Sequence, residues 1–264
     1  MLMADLGNIR THHDDRGPQD GPALVFANAL GTDFRLWDAL LPHLPEGLRL
    51  IRYDMRGHGL TTAPEAPYFM GDLVGDAARL LDRLGVRECV FVGLSIGGIV
   101  GQGLAAERLD LVRGLVISNS AARIGNRAMW DARIEAVRQG GIEALADGTM
   151  ERWFSKATRK DRPGLVEAFH NMLTRTPGHG YIGCMEAIAE TDLYDSTARL
   201  KLPTLGIAAS EDGSTPPDMV RETTGLVAGS KFHLIRGAGH LPCVEQPAAY
   251  AAALTGFLQE IGHI

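Results

Sequence analysis

Residues 89–98 read Cys-Val-Phe-Val-Gly-Leu-Ser-Ile-Gly-Gly, a short apolar run that meets a serine between glycines and continues into a helix-compatible stretch. Glycines two residues either side of Ser95 let a strand, a turn and a helix pack around one sharp bend. Such a bend projects the serine hydroxyl from the edge of a sheet and aims the next backbone N–H, that of Ile96, toward a developing oxyanion. A serine hydroxyl is a poor nucleophile without a base. The motif therefore predicts a histidine and a carboxylate later in the chain.

The rest of the chain supplies the sheet. Residues 7–13, 23–28 and 48–53 read as strands, with the turn-rich Asp14-Asp15-Arg16-Gly17-Pro18 after the first. Residues 34–44 carry apolar side chains at helical spacing. Leu73, Val74, Ala77, Leu80, Leu81 and Leu84 recur with a period near 3.6, which predicts an amphipathic helix over 71–84, ended by Gly85. Strand 89–92, helix 96–107 and strand 111–118 follow. Strands alternating with helices imply crossover connections and an α/β fold, a mostly parallel sheet with helices on both faces. The alternation stops between residues 121 and 199, where helical segments at 126–138, 142–153, 165–174 and 181–190 have no strand between them. It resumes with strand 203–208, a helix at 219–226, strand 231–235 and a final helix at 246–261. The predicted organisation is thus a core of residues 1–120 and 200–264 with a helical insertion at 121–199.

Composition narrows the classes of function. The 264 residues are 45% hydrophobic and 22% charged, with a net charge of −6 and no block of Lys or Arg, which disfavours a nucleic-acid partner. No apolar run approaches the roughly 18 residues of a membrane span. The start, Met1-Leu2-Met3-Ala4-Asp5, has no basic segment followed by an apolar one, so the expected location is the cytoplasm. Cys89, Cys184 and Cys243 are far apart and odd in number, and read as free thiols. No cofactor and no metal is expected. The oligomeric state stays open.

In open α/β sheets ligands bind at the carboxyl ends of the strands, which restricts the partners of Ser95 to residues just past strand ends. His240 follows strand 231–235 through the flexible Arg236-Gly237-Ala238-Gly239. His233 lies inside that strand and His263 at the end of the chain. Strand 203–208 runs into Ser210-Glu211-Asp212-Gly213, where Asp212 is preferred and Glu211 is the alternative. The other expected acid position reads Asn119-Ser120-Ala121 and holds no carboxylate. The predicted catalytic residues are Ser95, Asp212 and His240, in the chain order of a Ser-acid-His hydrolase. The oxyanion donors are the backbone N–H of Ile96 and, in the loop Asn28-Ala29-Leu30-Gly31, that of Leu30.

Other motifs read more plainly. His12-His13 beside Asp14-Asp15 suggests a metal cluster, but the flanking strand and turn favour a solvated surface. The dinucleotide pattern needs a glycine where Ser95 stands, and the Lys-Ser/Thr pair of a phosphate loop is missing. Asp54-Met55-Arg56-Gly57-His58-Gly59 is read as a turn beside the site, with His58 structural.

Taken together, Tyr53-Asp54-Met55-Arg56-Gly57-His58-Gly59, Gly93-Leu94-Ser95-Ile96-Gly97-Gly98 and Gly237-Ala238-Gly239-His240 resemble the α/β-hydrolases. Within that superfamily Asn28-Ala29-Leu30-Gly31-Thr32-Asp33 followed by Trp37 is similar to the 3-oxoadipate enol-lactonases, where most relatives carry His-Gly. So are Ser118 through Gly125, Trp130 with Arg133 through Arg138, Glu151-Arg152-Trp153-Phe154, and Gly180-Tyr181 through Cys184. Ala29 replaces a common serine, and Leu241-Pro242-Cys243 differs from the usual Leu-Ser-Asn. The resemblance implies opening of 3-oxoadipate enol-lactone to 3-oxoadipate, in the β-ketoadipate branch of aromatic catabolism. The expected partner is accordingly a small lactone carrying a carboxylate. That carboxylate needs a cationic or hydrogen-bonding partner in a largely apolar pocket. Arg133, one helical turn past Trp130, is the leading candidate, with Trp130 as a packing wall. Pairing of Arg133 with Asp131 or Glu135 is the alternative, and Arg123 is in reserve. A broader carboxylesterase, a carbon–carbon bond hydrolase and a non-catalytic binding protein on the same fold are the competing functions.

Overall fold

The computed structural model describes all residues from 1 to 264. Its chain opens with two strands, β1 (Leu2–Asp5) and β2 (Arg10–Arg16), before the apolar β3 (Ala23–Ala27) and β4 (Arg49–Tyr53). Helix α1 (Met70–Arg83) buries Leu73, Val74, Ala77, Leu80 and Leu81 along one stripe, as its period demands. Strand β5 (Cys89–Leu94) leads through Ser95 into α2 (Ile96–Glu107), and β6 (Val112–Ser118) follows. Six helices come next without an intervening strand: α3 (Arg127–Gly140), α4 (Glu143–Trp153), α5 (Lys156–Asp161), α6 (Pro163–Thr174), α7 (Gly178–Ala189) and α8 (Tyr194–Ala198). The chain closes with β7 (Thr204–Ala209), α9 (Pro217–Gly225), β8 (Lys231–Ile235), α10 (Pro242–Glu245) and α11 (Pro247–Glu260). No helix is long and apolar enough to cross a membrane.

The strands form one sheet in the order β1-β2-β4-β3-β5-β6-β7-β8. From β4 to β8 all neighbours run parallel, and β1 and β2 add antiparallel at one edge. Every residue of β3, β5 and β7 is buried, as expected for strands covered on both faces. The parallel register brings the carboxyl ends of β3, β5, β6, β7 and β8 to one edge. Ala27 lies beside Gly93, Leu94 beside Ser118, and Ser118 beside Ile207.

Several local expectations are corrected. Asp14, Asp15 and Arg16 do not turn but extend β2, pairing with Arg52, Ile51 and Leu50. Their charges are tolerated because Arg52 binds Asp14 at 2.6 Å, and Arg49 grips Asp15 with two bonds of 3.0 and 2.8 Å. His12 and His13 are not on a solvated surface: both are buried, and His12 Nδ1 lies 2.7 Å from Asp54 Oδ2. No group of three or more His, Cys, Asp or Glu is arranged to hold a metal. Residues 34–44 form two 3₁₀ turns, Phe34–Trp37 and Leu41–His43, instead of a helix, since Pro42 near the start of the second has no N–H to continue the ladder. The final helix is continuous at Pro247–Glu260, as expected, and the short α10 before it is an addition. The short β1, α5 and α8 carry too little periodicity to be read in advance.

The Arg49–Asp15 pair yields a stability prediction. Both side chains are nearly enclosed, 6% and 9% exposed, and Arg49 also donates to the Leu84 carbonyl at 2.9 Å. Arg49→Met would strand a buried carboxylate and should cost about 3 kcal/mol. A urea melt should show a lower midpoint with an unchanged slope, and an unchanged midpoint would contradict the assignment.

Candidate active site

The end of β5 sets the position of Ser95. Its backbone lies at φ 58° and ψ −121°, a left-handed conformation that costs free energy and persists only where the surroundings impose it. Two glycines impose it here. A Cβ on Gly93 would overlap the Gly97 carbonyl, and one on Gly97 would overlap the Ala27 carbonyl at the end of β3. The first turn of α2 therefore sits directly against two strand ends. The Ser95 N–H donates to the Ser118 carbonyl at 2.9 Å, which keeps the bend on the sheet edge.

Asp212 stands just past β7 and is buried, whereas Glu211 beside it is exposed. Five hydrogen bonds converge on the Asp212 carboxylate. Oδ1 accepts from the Ser214 and Thr215 N–H groups at 2.7 and 3.1 Å. Oδ2 accepts from Thr215 Oγ1 at 2.7 Å, Asn119 Nδ2 at 2.7 Å and His240 Nδ1 at 2.8 Å. Burial opposes ionisation of this acid. The charge of His240 and the hydrogen bonds from His240, Thr215 and Ser214 outweigh it and hold the carboxyl below its ordinary range. An ionised Asp212 accepts the Nδ1–H hydrogen bond of His240 and leaves Nε2 as the nitrogen that is free to accept a hydrogen bond. The His240 loop is itself tied down. Glu245 accepts from the Gly239 N–H at 2.6 Å, and from Ser155 N–H and Oγ at 3.0 and 2.7 Å, joining that loop to the end of α4.

Ser95, His240 and Leu30 line one cavity of about 260 Å³. Ser95 Oγ and His240 Nε2 face the same cavity and make no hydrogen bond to each other. The backbone N–H groups of Leu30 and Ile96 have no protein acceptor, the latter because it opens α2. The Leu30 loop is braced by Asn28, whose Nδ2 donates to the Tyr53 carbonyl at 2.8 Å while Oδ1 accepts from Trp37 Nε1 at 2.8 Å. This explains why Asn28 and Trp37 occur together. His58 is buried beside the same loop. Its Nε2 accepts the Gly31 N–H at 2.8 Å and its Nδ1 lies 3.1 Å from the Arg56 carbonyl. Burial pushes the His58 pKa down to about 4, so it is a neutral acceptor at ordinary pH.

The cavity wall comes from the helices between β6 and β7. Trp130 is buried there, with Nε1 donating to the Ile124 carbonyl at 2.7 Å. Arg133 lines the same wall, its guanidinium carbon 5.0 Å from the Trp130 ring centre. It forms no ion pair with Asp131, which takes Arg127 at 2.7 Å, nor with Glu135, which takes Gln139 at 2.8 Å. Arg123 binds Asp192 at 3.5 Å and is not part of the wall. A second arginine, Arg152, does line it, held by Thr149 Oγ1 at 2.9 Å and free of any carboxylate partner. Burial, together with the positive charge of Arg133, lowers the pKa of Arg152. Arg152 lies within the segment Glu151-Arg152-Trp153-Phe154, and nothing in its sequence neighbourhood gives it a role. Asn119, Thr215 and Glu245 were likewise missed, because their partners lie 93, 3 and 90 residues away or on loops of no regular period. A larger groove of about 800 Å³, lined by His12, Asp33, Arg35, Met172 and Arg175 among others, contains none of Ser95, Asp212 and His240.

A serine on a strained strand-to-helix bend, with an Asp–His pair past the next strands of a mostly parallel sheet, defines an α/β-hydrolase. The family model for the alpha/beta hydrolase fold matches residues 22–247, and the chain belongs to that family. The 3-oxoadipate enol-lactonase 2 of Acinetobacter baylyi is 33% identical over 92% of this chain and 91% of its own. The solved enol-lactonase of Burkholderia xenovorans superposes with a TM-score of 0.94 at 32% identity, covering 98% of this chain and all of that one. A thermophilic esterase from Thermogutta terrifontis, solved with malate bound, superposes at 0.90 with 27% identity, covering 96% of this chain and 94% of that one.

The buried Asp212 makes stability depend on acid in a defined direction. Its folded pKa lies below the unfolded value of about 3.9, so its contribution is fully present above that value and is lost as pH falls through the folded one. Asp212→Asn removes this group. Between about pH 5 and pH 3 the unfolding free energy of the wild type should fall more steeply than that of the variant. Parallel profiles would contradict the assignment.

Proposed function

We propose that this protein is a serine-dependent carboxylic-ester hydrolase that opens a small lactone bearing a carboxylate, 3-oxoadipate enol-lactone, to 3-oxoadipate. One observation carries the choice of substrate: Arg133 and Arg152, both without acidic partners, line the cavity that holds Ser95 and His240. A pair of uncompensated guanidinium groups in a partly apolar cavity favours an anionic ligand. A volume of about 260 Å³ suits a compact acid rather than a long-chain ester. Likeness to two enol-lactonases over most of the chain supports the same reading, as does the malate bound in the related esterase. On this reading residues 121–199 act as a cap over a core formed by 1–120 and 200–264.

The chemistry follows from the positions of the groups. Ser95 Oγ attacks the lactone carbonyl while His240 Nε2 takes its proton. Asp212 stabilises the imidazolium through Nδ1 without taking the proton itself. The oxyanion is received by the N–H groups of Leu30 and Ile96, each contributing about 3 kcal/mol to the transition state. Collapse of the tetrahedral species breaks the ring C–O bond, and the released enolate takes the proton from His240 and ketonises while its acyl carbon stays esterified to Ser95. A water deprotonated by His240 then attacks the Ser95 ester, freeing the acid and restoring the serine. No metal or cofactor enters any step. Arg133 and Arg152 grip the free carboxylate of the substrate throughout, with Trp130 as a wall.

The deciding assay is loss of enol-lactone absorbance against a panel of neutral aryl esters. Efficient turnover of the lactone supports the proposal, and ester hydrolysis with an inert lactone leaves only the broader esterase. Ser95→Ala should keep its fold, lose at least about 10⁴-fold in kcat and escape labelling by a fluorophosphonate. Arg133→Leu and Arg152→Leu should each raise KM for the lactone about 10- to 100-fold, the loss of one charged hydrogen bond of roughly 1.5–3 kcal/mol. Neutral esters should be unaffected. Equal losses on both substrates would remove the carboxylate-anchoring role.

A further inference from the structure

A peptide unit is planar and trans, so its C=O and the N–H of the next residue point in opposite directions. Whatever grips the carbonyl of one residue therefore aims the amide of its successor. The Ile96 N–H shares its plane with the Ser95 carbonyl. That carbonyl accepts from the Gly98 and Ile99 N–H groups at 2.8 and 3.3 Å, bonds that any helix start can make. It also accepts from Ser120 Oγ at 2.6 Å, a hydroxyl reaching across from the loop after β6. The Leu30 N–H shares its plane with the Ala29 carbonyl, which accepts from Thr32 Oγ1 at 2.8 Å and from the Thr32 N–H at 3.1 Å. Both side chains are enclosed, Thr32 being 1% and Ser120 0% exposed. The peptide after Leu30 is pinned as well, its N–H held by His58 Nε2 at 2.8 Å.

Two loops that follow different strands thus share one arrangement. In each, a free amide hydrogen sits on one side of a peptide and a buried hydroxyl grips the carbonyl on the other. We propose that Thr32 and Ser120 are positioning residues that pre-orient the oxyanion hole, each by a hydroxyl hydrogen bond to the carbonyl of a donor peptide. The inference rests on the reading of Leu30 and Ile96 as oxyanion donors. The hydroxyls act in two ways. They hold the donors in place before charge develops, so no reorganisation is needed during the reaction. They also polarise the peptide, which makes its N–H a stronger donor. The segment Asn119-Ser120, which offers no acid of its own, then serves the site twice: Asn119 holds Asp212, and Ser120 holds the peptide after the nucleophile.

The test measures kcat and KM for the wild type, Thr32→Val, Thr32→Ser, Thr32→Cys, Ser120→Ala and Ser120→Cys on an ester that the wild type turns over. It adds the affinity for a trifluoromethyl ketone, whose adduct with Ser95 carries an oxyanion, and for a non-reacting carboxylic acid. Outright loss of an oxyanion donor lowers kcat about 10²- to 10³-fold, and misalignment of one should lose about tenfold. Thr32→Val and Ser120→Ala should show that loss in kcat and in ketone affinity, with KM and acid binding within about twofold of wild type. Thr32→Ser, which keeps the hydroxyl, should recover most of the rate. Thr32→Cys and Ser120→Cys keep the bulk but donate only weakly, and apply the same criterion should either truncation fail to fold. Rates within twofold of wild type in the variants lacking the hydroxyl overturn the proposal, as does a loss confined to KM or an equally impaired Thr32→Ser. A wild type that neither hydrolyses esters nor reacts with a fluorophosphonate at Ser95 overturns the hydrolase reading itself. An active, labelled wild type with unaffected variants overturns this inference alone.

Discussion

The approach of α2 to the carboxyl ends of β3 and β5 is the contact on which the rest of the site depends. Gly93 lies under the Gly97 carbonyl, and Gly97 lies against the Ala27 carbonyl, with no room at either position for a side chain. That packing holds Ser95 in a left-handed conformation that an isolated chain would leave. It also sets the unbonded end of α2, with the Ile96 N–H, close to the loop that carries Leu30. The cost of the strained residue is met by the burial of α2, which is enclosed from Ile96 to Ala105. A helix that met the sheet one side chain farther away would relax the serine and separate the two amides.

Charge is distributed in two distinct ways. The buried arginines of the β2–β4 and α1 region each have an acidic partner: Arg49 with Asp15, Arg52 with Asp14, and Arg56 with Asp76 at 2.7 Å. These pairs tie the antiparallel edge of the sheet and α1 to the core, and their charges are satisfied. Arg133 and Arg152 depart from that pattern. Half-buried and without carboxylate partners, they neighbour each other and both line the cavity that holds Ser95. Asp212 shows the converse, one carboxylate receiving five hydrogen bonds, among them the histidine that it orients.

Much of this was legible because its signals are local. Ser95 declares itself through glycines two residues away, Asp212 and His240 through their place just past apolar strands, and α2 and β8 through their composition and length. The structure brings Asp212 and His240 to 2.8 Å, and it puts Ser95, Leu30, Trp130 and Arg133 around one cavity with His240. The misreadings share a cause. Asp14 and Asp15 looked like a turn because their compensating arginines lie 38 and 34 residues later in β4. His12 looked solvated because Asp54, 42 residues on, is invisible from its neighbourhood. Arg152 carries no signal in the sequence for a different reason: a lone arginine on a helix is ordinarily a surface residue, and only its place in the cavity wall beside Arg133 marks it out.

The sequence by itself determined the alternation of the main strands and helices, the sharp bend at Ser95 and the type of side chain beyond each strand. All of these follow from hydrophobic period and glycine spacing, which act over a few residues. Tertiary structure alone decided which groups meet. It placed Asn119 and Thr215 on Asp212, Thr32 and Ser120 behind the two amides, His58 on Gly31, and Arg152 beside Arg133. Those contacts depend on strand register and on the close approach of loops from distant parts of the chain. Neither is encoded in the spacing of neighbouring residues.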